Sequence, residues 1–315
     1  MAGWRKYYPY IKWLVLIASY GFLGCKIFEF AHSPASDSEW YLLSWKQIGW
    51  LVMAMILLPA NIGIETIKWR YLVAGIEKLT FVKALKSVIS GYTTGFFTPN
   101  RLGEYPGRAV YLPSGTRWKA ITFGMVGTLA QTIILLLFGL FSFCLLVGQR
   151  SFPFLANEHL LMALFVIEVC LAFTIYLLLP RLSRFANRWN ISLKINTLLQ
   201  WLSTFTTRQL AYVLLLALTR YAVFCLQFYC MLRFCSIQIT VWQGFVSIAS
   251  VYLFVTFTPS IAFSEAAIRG SYAVLFVGMF SANTVGIALA GVLVWFLNAV
   301  IPMLVGSVFF SKTKI

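Results

Sequence analysis

The stretch FTPNRLGEYPGRA, residues 97–109, sets two arginines, a glutamate, two prolines and two glycines between long apolar runs. A second stretch, FTPSIAFSEAAIRGSYA at 257–273, repeats its outline. Extended backwards, FVKALKSVISGYTTGFFTP (81–99) lies over VWQGFVSIASVYLFVTFTP (241–259). Ser87 meets Ser247, Tyr92 meets Tyr252, and Thr98-Pro99 meets Thr258-Pro259. One inserted residue later, Glu104 meets Glu265 and Arg108 meets Arg269, each pair of the form E-x-x-x-R. A long apolar segment precedes and follows each copy, so the chain reads as two related halves, 47–147 and 209–311, of a single unit over 1–315.

The solvent of this chain is lipid. Of its 315 residues 60% are hydrophobic and 11% charged, and its mean hydropathy is +0.83. A soluble domain carries about 25% charge. The net charge of +16 does not point to nucleic acid, because the basic residues sit at the ends of apolar segments, as cytoplasmic membrane flanks do. Six cysteines without a CxxC pair and two histidines leave no metal-ligand cluster, and no cofactor is expected. The only aspartate is Asp37, and no nucleophile–base motif is present. The chain therefore reads as a non-enzyme. A lipid-modifying enzyme with sparse motifs, or a lipid-binding scaffold that moves nothing, is the alternative.

A hydrocarbon core of about 30 Å needs roughly 20 apolar residues per helix. Six spans meet this, at 9–29, 47–69, 118–147, 159–180, 209–233 and 283–311. Shorter apolar pieces lie at 81–97, 241–257 and 266–280, and the first two run into a Thr-Pro turn. They read as re-entrant helices, which enter the membrane, break and leave on the same side. The expectation is an all-α polytopic membrane protein with about six transmembrane helices and two re-entrant helices in an inverted repeat. Arg5, Lys6, Lys12, the basic residues of 68–86 and 181–208, Lys312 and Lys314 mark the inner side, whereas Asp37 and Glu39 mark an outer loop. Both termini then lie in the cytoplasm, in a bacterial-type inner membrane. Leu182, Phe185, Trp189, Leu198, Leu202 and Phe205 recur between the basic residues of 181–208, as in a helix lying in the headgroup layer.

A helix that ends inside the membrane leaves backbone groups to satisfy, and protein or a watery cavity must cover them. Proline breaks such a helix and threonine caps the next turn. Ser87, Gly91 and Gly95, four apart, let a neighbouring helix come close. Glu and Arg four apart share a helical face, so each E-x-x-x-R balances its charge while offering a guanidinium fork to a lipid phosphate. Three further ionisable residues fall inside the spans: Glu65, Glu168 and Arg220. Such residues are functional candidates by default. Glu168 and Arg220 reach similar depth from opposite faces, which leaves two readings open: a midplane pair, or a free Arg220 as a phosphate or carboxylate ligand.

The segments NIGIETIKWRYL, GYTTGFFTPNRLGEYPGRAVYL and TPSIAFSEAAIRGSYAVLF together resemble the lysylphosphatidylglycerol synthase transmembrane family, the flippase-like domain proteins. The resemblance covers nearly the whole chain and implies a lipid translocator, one that moves aminoacylated phosphatidylglycerol, another phospholipid or a polyprenyl-phosphate lipid between leaflets. It carries over to Asn61, Glu65, Lys68, Arg70, Thr98, Pro99, Arg101, Glu104, Arg108, Pro259, Glu265 and Arg269 as residues that handle substrate; Thr258 and Arg220 join them from the readings above. It implies lipids with anionic headgroups as partners and is compatible with a homo-oligomer. No aminoacyl-transferase domain follows the last span, so synthesis of the lipid is not expected. The expected path takes a phosphate from Arg101 and Arg108 to Arg269 with Arg220.

Overall fold

The structure is a computed structural model and describes residues 44–149, 158–186, 192–258 and 262–312. Every regular element among these is helical. In chain order they are α1 (Trp45–Val73), α2 (Phe81–Phe96), a 3-10 turn (Pro99–Arg101), α3 (Glu104–Ala109), a second 3-10 turn (Ser114–Thr116) and α4 (Arg117–Gln149). Next come α5 (Glu158–Ala186), α6 (Leu193–Ser203), α7 (Thr207–Phe234), α8 (Val241–Phe257), α9 (Ala262–Val277), α10 (Thr284–Trp295), a π-helical segment (Phe296–Val300) and α11 (Ile301–Lys312).

Five stretches are long and apolar enough to cross a membrane: Trp45–Val73, Ser114–Val147, Phe165–Ala186, Thr207–Phe234 and Thr284–Phe309. They coincide with five of the six expected spans. The sixth, at 9–29, lies outside the described residues, as do Asp37, Glu39, Trp189, Pro259 and Lys314. The protein is an integral membrane protein. Its outward faces carry Val52, Ile56, Ile67, Val166, Ile167 and Leu171, while Asn61, Glu65, Lys68, Arg108, Glu265 and Arg269 are buried. That distribution suits lipid and would be unfavourable in water.

Local chemistry explains the element ends. The first helix of each half opens on a capping box, Ser44 with Gln47 for α1 and Thr206 with Gln209 for α7. The short helices start alike, with the Thr80 and Thr240 hydroxyls accepting the backbone N–H of Lys83 and Gln243. Helix α2 stops at Phe96 ahead of Pro99. The buried serines of α8 satisfy themselves on their own helix: Ser247 donates to the Gln243 carbonyl at 2.7 Å and Ser250 to that of Val246 at 3.0 Å.

The helices pack by exchange between halves. Helix α1 lies along α7; α4 of the first half packs on α8 of the second, and α11 of the second packs on α2 of the first. Helices α3 and α9 each lean on the short helix and the last span of their own half. Phe96, Trp295, Ala299, Val300 and Met303 form the buried apolar contact between α2 and the last span around its π segment.

In its helices the structure differs from the sequence reading in three places. The last span is not one regular helix: the π segment widens it just before Pro302, whose ring nitrogen cannot donate to the turn below. Helix α9 starts at Ala262, earlier than the expected 266, so Glu265 lies in its first turn. The stretch 181–208 is not one surface helix. Its first residues extend α5 to Ala186, and a separate α6 exposes Leu193, Ile195 and Leu198.

The row Ser87, Gly91, Gly95 faces α3. Ser87 Oγ donates to the Arg108 carbonyl at 2.8 Å, a Cβ on Gly91 would stand 2.6 Å from Arg108 Cγ, and one on Gly95 would stand 3.2 Å from Glu104 Cβ. From the other side, a Cβ on Gly107 would collide with the Thr94 hydroxyl and reach Gly91 Cα at 3.1 Å. Overpacking of this kind costs about 1–3 kcal/mol. Gly107→Ala is therefore expected to lower the thermal unfolding midpoint of the detergent-purified protein, while Gly63→Ala, with nothing within 4 Å, leaves it level or raises it.

Candidate functional site

The two short-helix units converge on one cavity of about 280 Å³. Its lining includes Glu65 and Lys68 from α1, Arg101, Glu104 and Arg108 from the first loop, Arg220 from α7, and Thr258, Glu265 and Arg269 from the second. Tyr92, Tyr221, Phe224 and Tyr252 supply aromatic wall.

Glu65 is the hub of the first group. Its Oε1 accepts Arg108 Nη1 at 2.6 Å; its Oε2 lies 2.7 Å from both Lys68 Nζ and Arg220 Nη1. Arg108 also donates to Glu104, its own helix partner. The Arg108 guanidinium lies 5.6 Å from the Trp69 ring centre and 5.9 Å from that of Tyr92. Trp69 is fixed in turn by its Nε1 donating to Ser87 Oγ at 2.9 Å.

Glu265 is the hub of the second group. Arg269 Nη2 donates to its Oε1 at 2.7 Å, and Arg101 from the other half donates to both oxygens at 2.9 Å. Arg269 lies over Tyr252 at 5.6 Å. Arg108 over Tyr92 and Arg269 over Tyr252 thus occupy matching places in the two halves. Asn100 and Arg101 hold left-handed backbone, φ 48° and 57°. Non-glycine residues adopt that region at a cost of about 1–3 kcal/mol, which the ion pair to Glu265 helps to offset. Arg101 is the most open cation of the two groups, its side chain 38% exposed against 7% for Arg108 and 9% for Arg269.

A third network leaves the cavity through Arg220. Its Nε donates to Asn61 Oδ1 at 2.8 Å and its Nη2 to the Tyr92 hydroxyl at 3.1 Å. Asn61 Nδ2 donates to Asn298 Oδ1 at 2.9 Å, Asn298 Nδ2 to Gln227 Oε1 at 2.8 Å, and Gln227 Nε2 to the Ala54 carbonyl at 3.0 Å. Asn298 sits inside the π segment, the geometry that turns an amide out of an otherwise apolar helix.

The chain matches the family model described as the lysylphosphatidylglycerol synthase TM region over residues 38–306. It belongs to that family. No curated protein and no solved structure gives a significant match to the chain. Membership of a lysylphosphatidylglycerol synthase TM family points to a role at membrane lipids.

Of the residues expected to form the family member's site, Glu65, Lys68, Arg101, Glu104, Arg108, Arg220, Thr258, Glu265 and Arg269 line the cavity. Asn61 stands behind it and orients Arg220. Thr98 shapes the turn: its hydroxyl accepts the Gly103 N–H at 2.7 Å and donates to the Gly95 carbonyl at 3.0 Å. Pro99 opens the 3-10 turn that carries Arg101. Arg70 is exposed at the end of α1 and does not line the cavity. The Glu168–Arg220 pair is not formed. Glu168 is exposed on the outer face of α5 beside Val166 and Ile167, and Arg220 is bound to Glu65. For the same reason Arg220 belongs with Arg108, not with Arg269. Sequence reasoning missed Asn298 and Gln227; two amides in long apolar runs were the available signal.

Proposed function

We propose that this protein moves lipids with anionic, phosphate-bearing headgroups between the leaflets of its membrane, without a covalent step. One observation carries the reading: five cations and three carboxylates line a cavity enclosed by helices whose outer faces are apolar. Buried charge is costly unless paired, so an excess of cations is expected only where an anion visits. Arg101, the open cation, meets the phosphate first and releases Glu265; Arg108 and Arg269 then hold it from the two sides. In this reading the two halves form an inverted repeat, the common build for alternating access, and the termini face the cytoplasm of a bacterial-type inner membrane.

The test is a proteoliposome assay with headgroup-labelled fluorescent phosphatidylglycerol and an impermeant quencher added outside. Protein-free vesicles lose about half the signal; vesicles with the protein are expected to lose nearly all of it. Chemical conversion of the lipid would favour the enzyme reading. Retention of the inner half, with no product, would favour the scaffold.

A further inference from the structure

Resting on the reading of the cavity as a headgroup site, we propose that its preferred headgroup is a phosphomonoester dianion rather than a phosphodiester. The charges divide in a specific way. Glu65 and Glu104 face Lys68, Arg108 and Arg220, which leaves one positive charge over. Glu265 faces Arg101 and Arg269, which leaves one more. Each half therefore contributes one uncompensated cation to the same cavity.

Arg108 Nε and Arg269 Nε are buried without a hydrogen-bond partner, although both residues line the cavity. They are the matching arginines of the two halves, and each rests over the matching tyrosine. Neither Nε is reachable from the cavity as it stands, so what each half presents to an anionic oxygen is its excess charge.

A phosphomonoester carries about −1.5 to −2 charge near neutral pH and three strong acceptor oxygens. It neutralises both excess charges. A phosphodiester brings a single negative charge and leaves one half uncompensated; a zwitterionic headgroup brings no net charge. A cavity of 280 Å³ lies below the roughly 300–1,000 Å³ of sites that enclose a drug-sized ligand. It admits a small terminal phosphate and leaves the lipid chains outside.

The experiment uses the full chain purified in detergent, titrated with short-chain lipids that share their acyl groups. The probes are dioctanoyl phosphatidic acid, dioctanoyl phosphatidylglycerol and dioctanoyl phosphatidylcholine, with inorganic phosphate as the free anion. Phosphatidic acid is expected to bind at least about tenfold more tightly than phosphatidylglycerol, with phosphatidylcholine and inorganic phosphate weaker still. Arg269→Gln removes one excess charge and should collapse the preference to within about twofold, whereas Arg269→Lys keeps the charge and most of the preference. Should the Gln variant fail to fold, the wild-type comparison alone decides. Equal binding of phosphatidic acid and phosphatidylglycerol overturns the dianion assignment and leaves the lipid site standing. Absence of binding by every lipid overturns the site itself. Inorganic phosphate as tight as phosphatidic acid makes the ligand a free anion, and the lipid assignment fails.

Discussion

Glu65→Gln is expected to yield almost no folded protein. The carboxylate holds Lys68, Arg108 and Arg220, and among the described residues no other carboxylate pairs with Lys68. Breaking a buried pair by deleting one partner costs about 3–5 kcal/mol, a large share of the roughly 5–15 kcal/mol that stabilises a typical domain. Arg108 keeps Glu104, but Lys68 and Arg220 lose their carboxylate beside a third cation, which places the loss at the top of that range. The compensating change is specific. Glu65→Gln with Arg220→Gln removes one charge of each sign, restores the local balance, and should recover much of the lost yield. Glu168→Gln, on the exposed face of α5, should change stability by less than about 0.5 kcal/mol. Size-exclusion yield and thermal unfolding in detergent measure all three. A stable Glu65→Gln variant would contradict the hub role of Glu65.

Asn298→Leu is the second large effect. Asn298 is the joint between Asn61 and Gln227, and its loss strips the Asn61 Nδ2 and the Gln227 Oε1 of these partners. Each buried polar atom left unsatisfied costs about 1–3 kcal/mol, so about 2–6 kcal/mol is expected for the pair. The damage should reach function too, because Asn61 orients Arg220 at the cavity wall. Adding Gln227→Leu removes one of the stranded groups and should return part of the stability. If Asn298→Leu unfolds at the wild-type temperature, water or a rearranged amide replaces the joint and the relay is dispensable.

Much of this architecture was legible in the chain because its signals are local. Apolar length located five spans, the Thr-Pro turns marked where α2 and α8 end, and the four-residue spacing of Glu104–Arg108 and Glu265–Arg269 foretold two intrahelical ion pairs. The matched tyrosines were visible as an alignment but not as arginine seats, because a ring under a guanidinium depends on how α2 meets α3 and α8 meets α9. The Glu168–Arg220 pairing failed for a physical reason. Residue count along a helix gives depth in the membrane but not the direction a side chain faces, and Glu168 faces outward. The bridge from Arg101 to Glu265 was equally hidden. It joins the halves through a turn whose left-handed residues carry no glycine to announce them. The π segment left only Pro302 as a clue.

The most direct test of a two-sided phosphate carrier is bidirectional lipid movement by Arg108→Gln and Arg269→Gln, reconstituted separately at matched amounts of folded protein. A carrier passes through both halves in every cycle, so each substitution should slow inward and outward movement alike. Loss of a charge-assisted hydrogen bond of about 1.5–3 kcal/mol corresponds to roughly tenfold to hundredfold in rate. Lysine at either position should restore part of the rate, since it keeps the charge and loses the fork. Wild-type rates in both Gln variants would show that the paired E-x-x-x-R helices are structural struts, and the account of the cavity as a lipid path would be wrong.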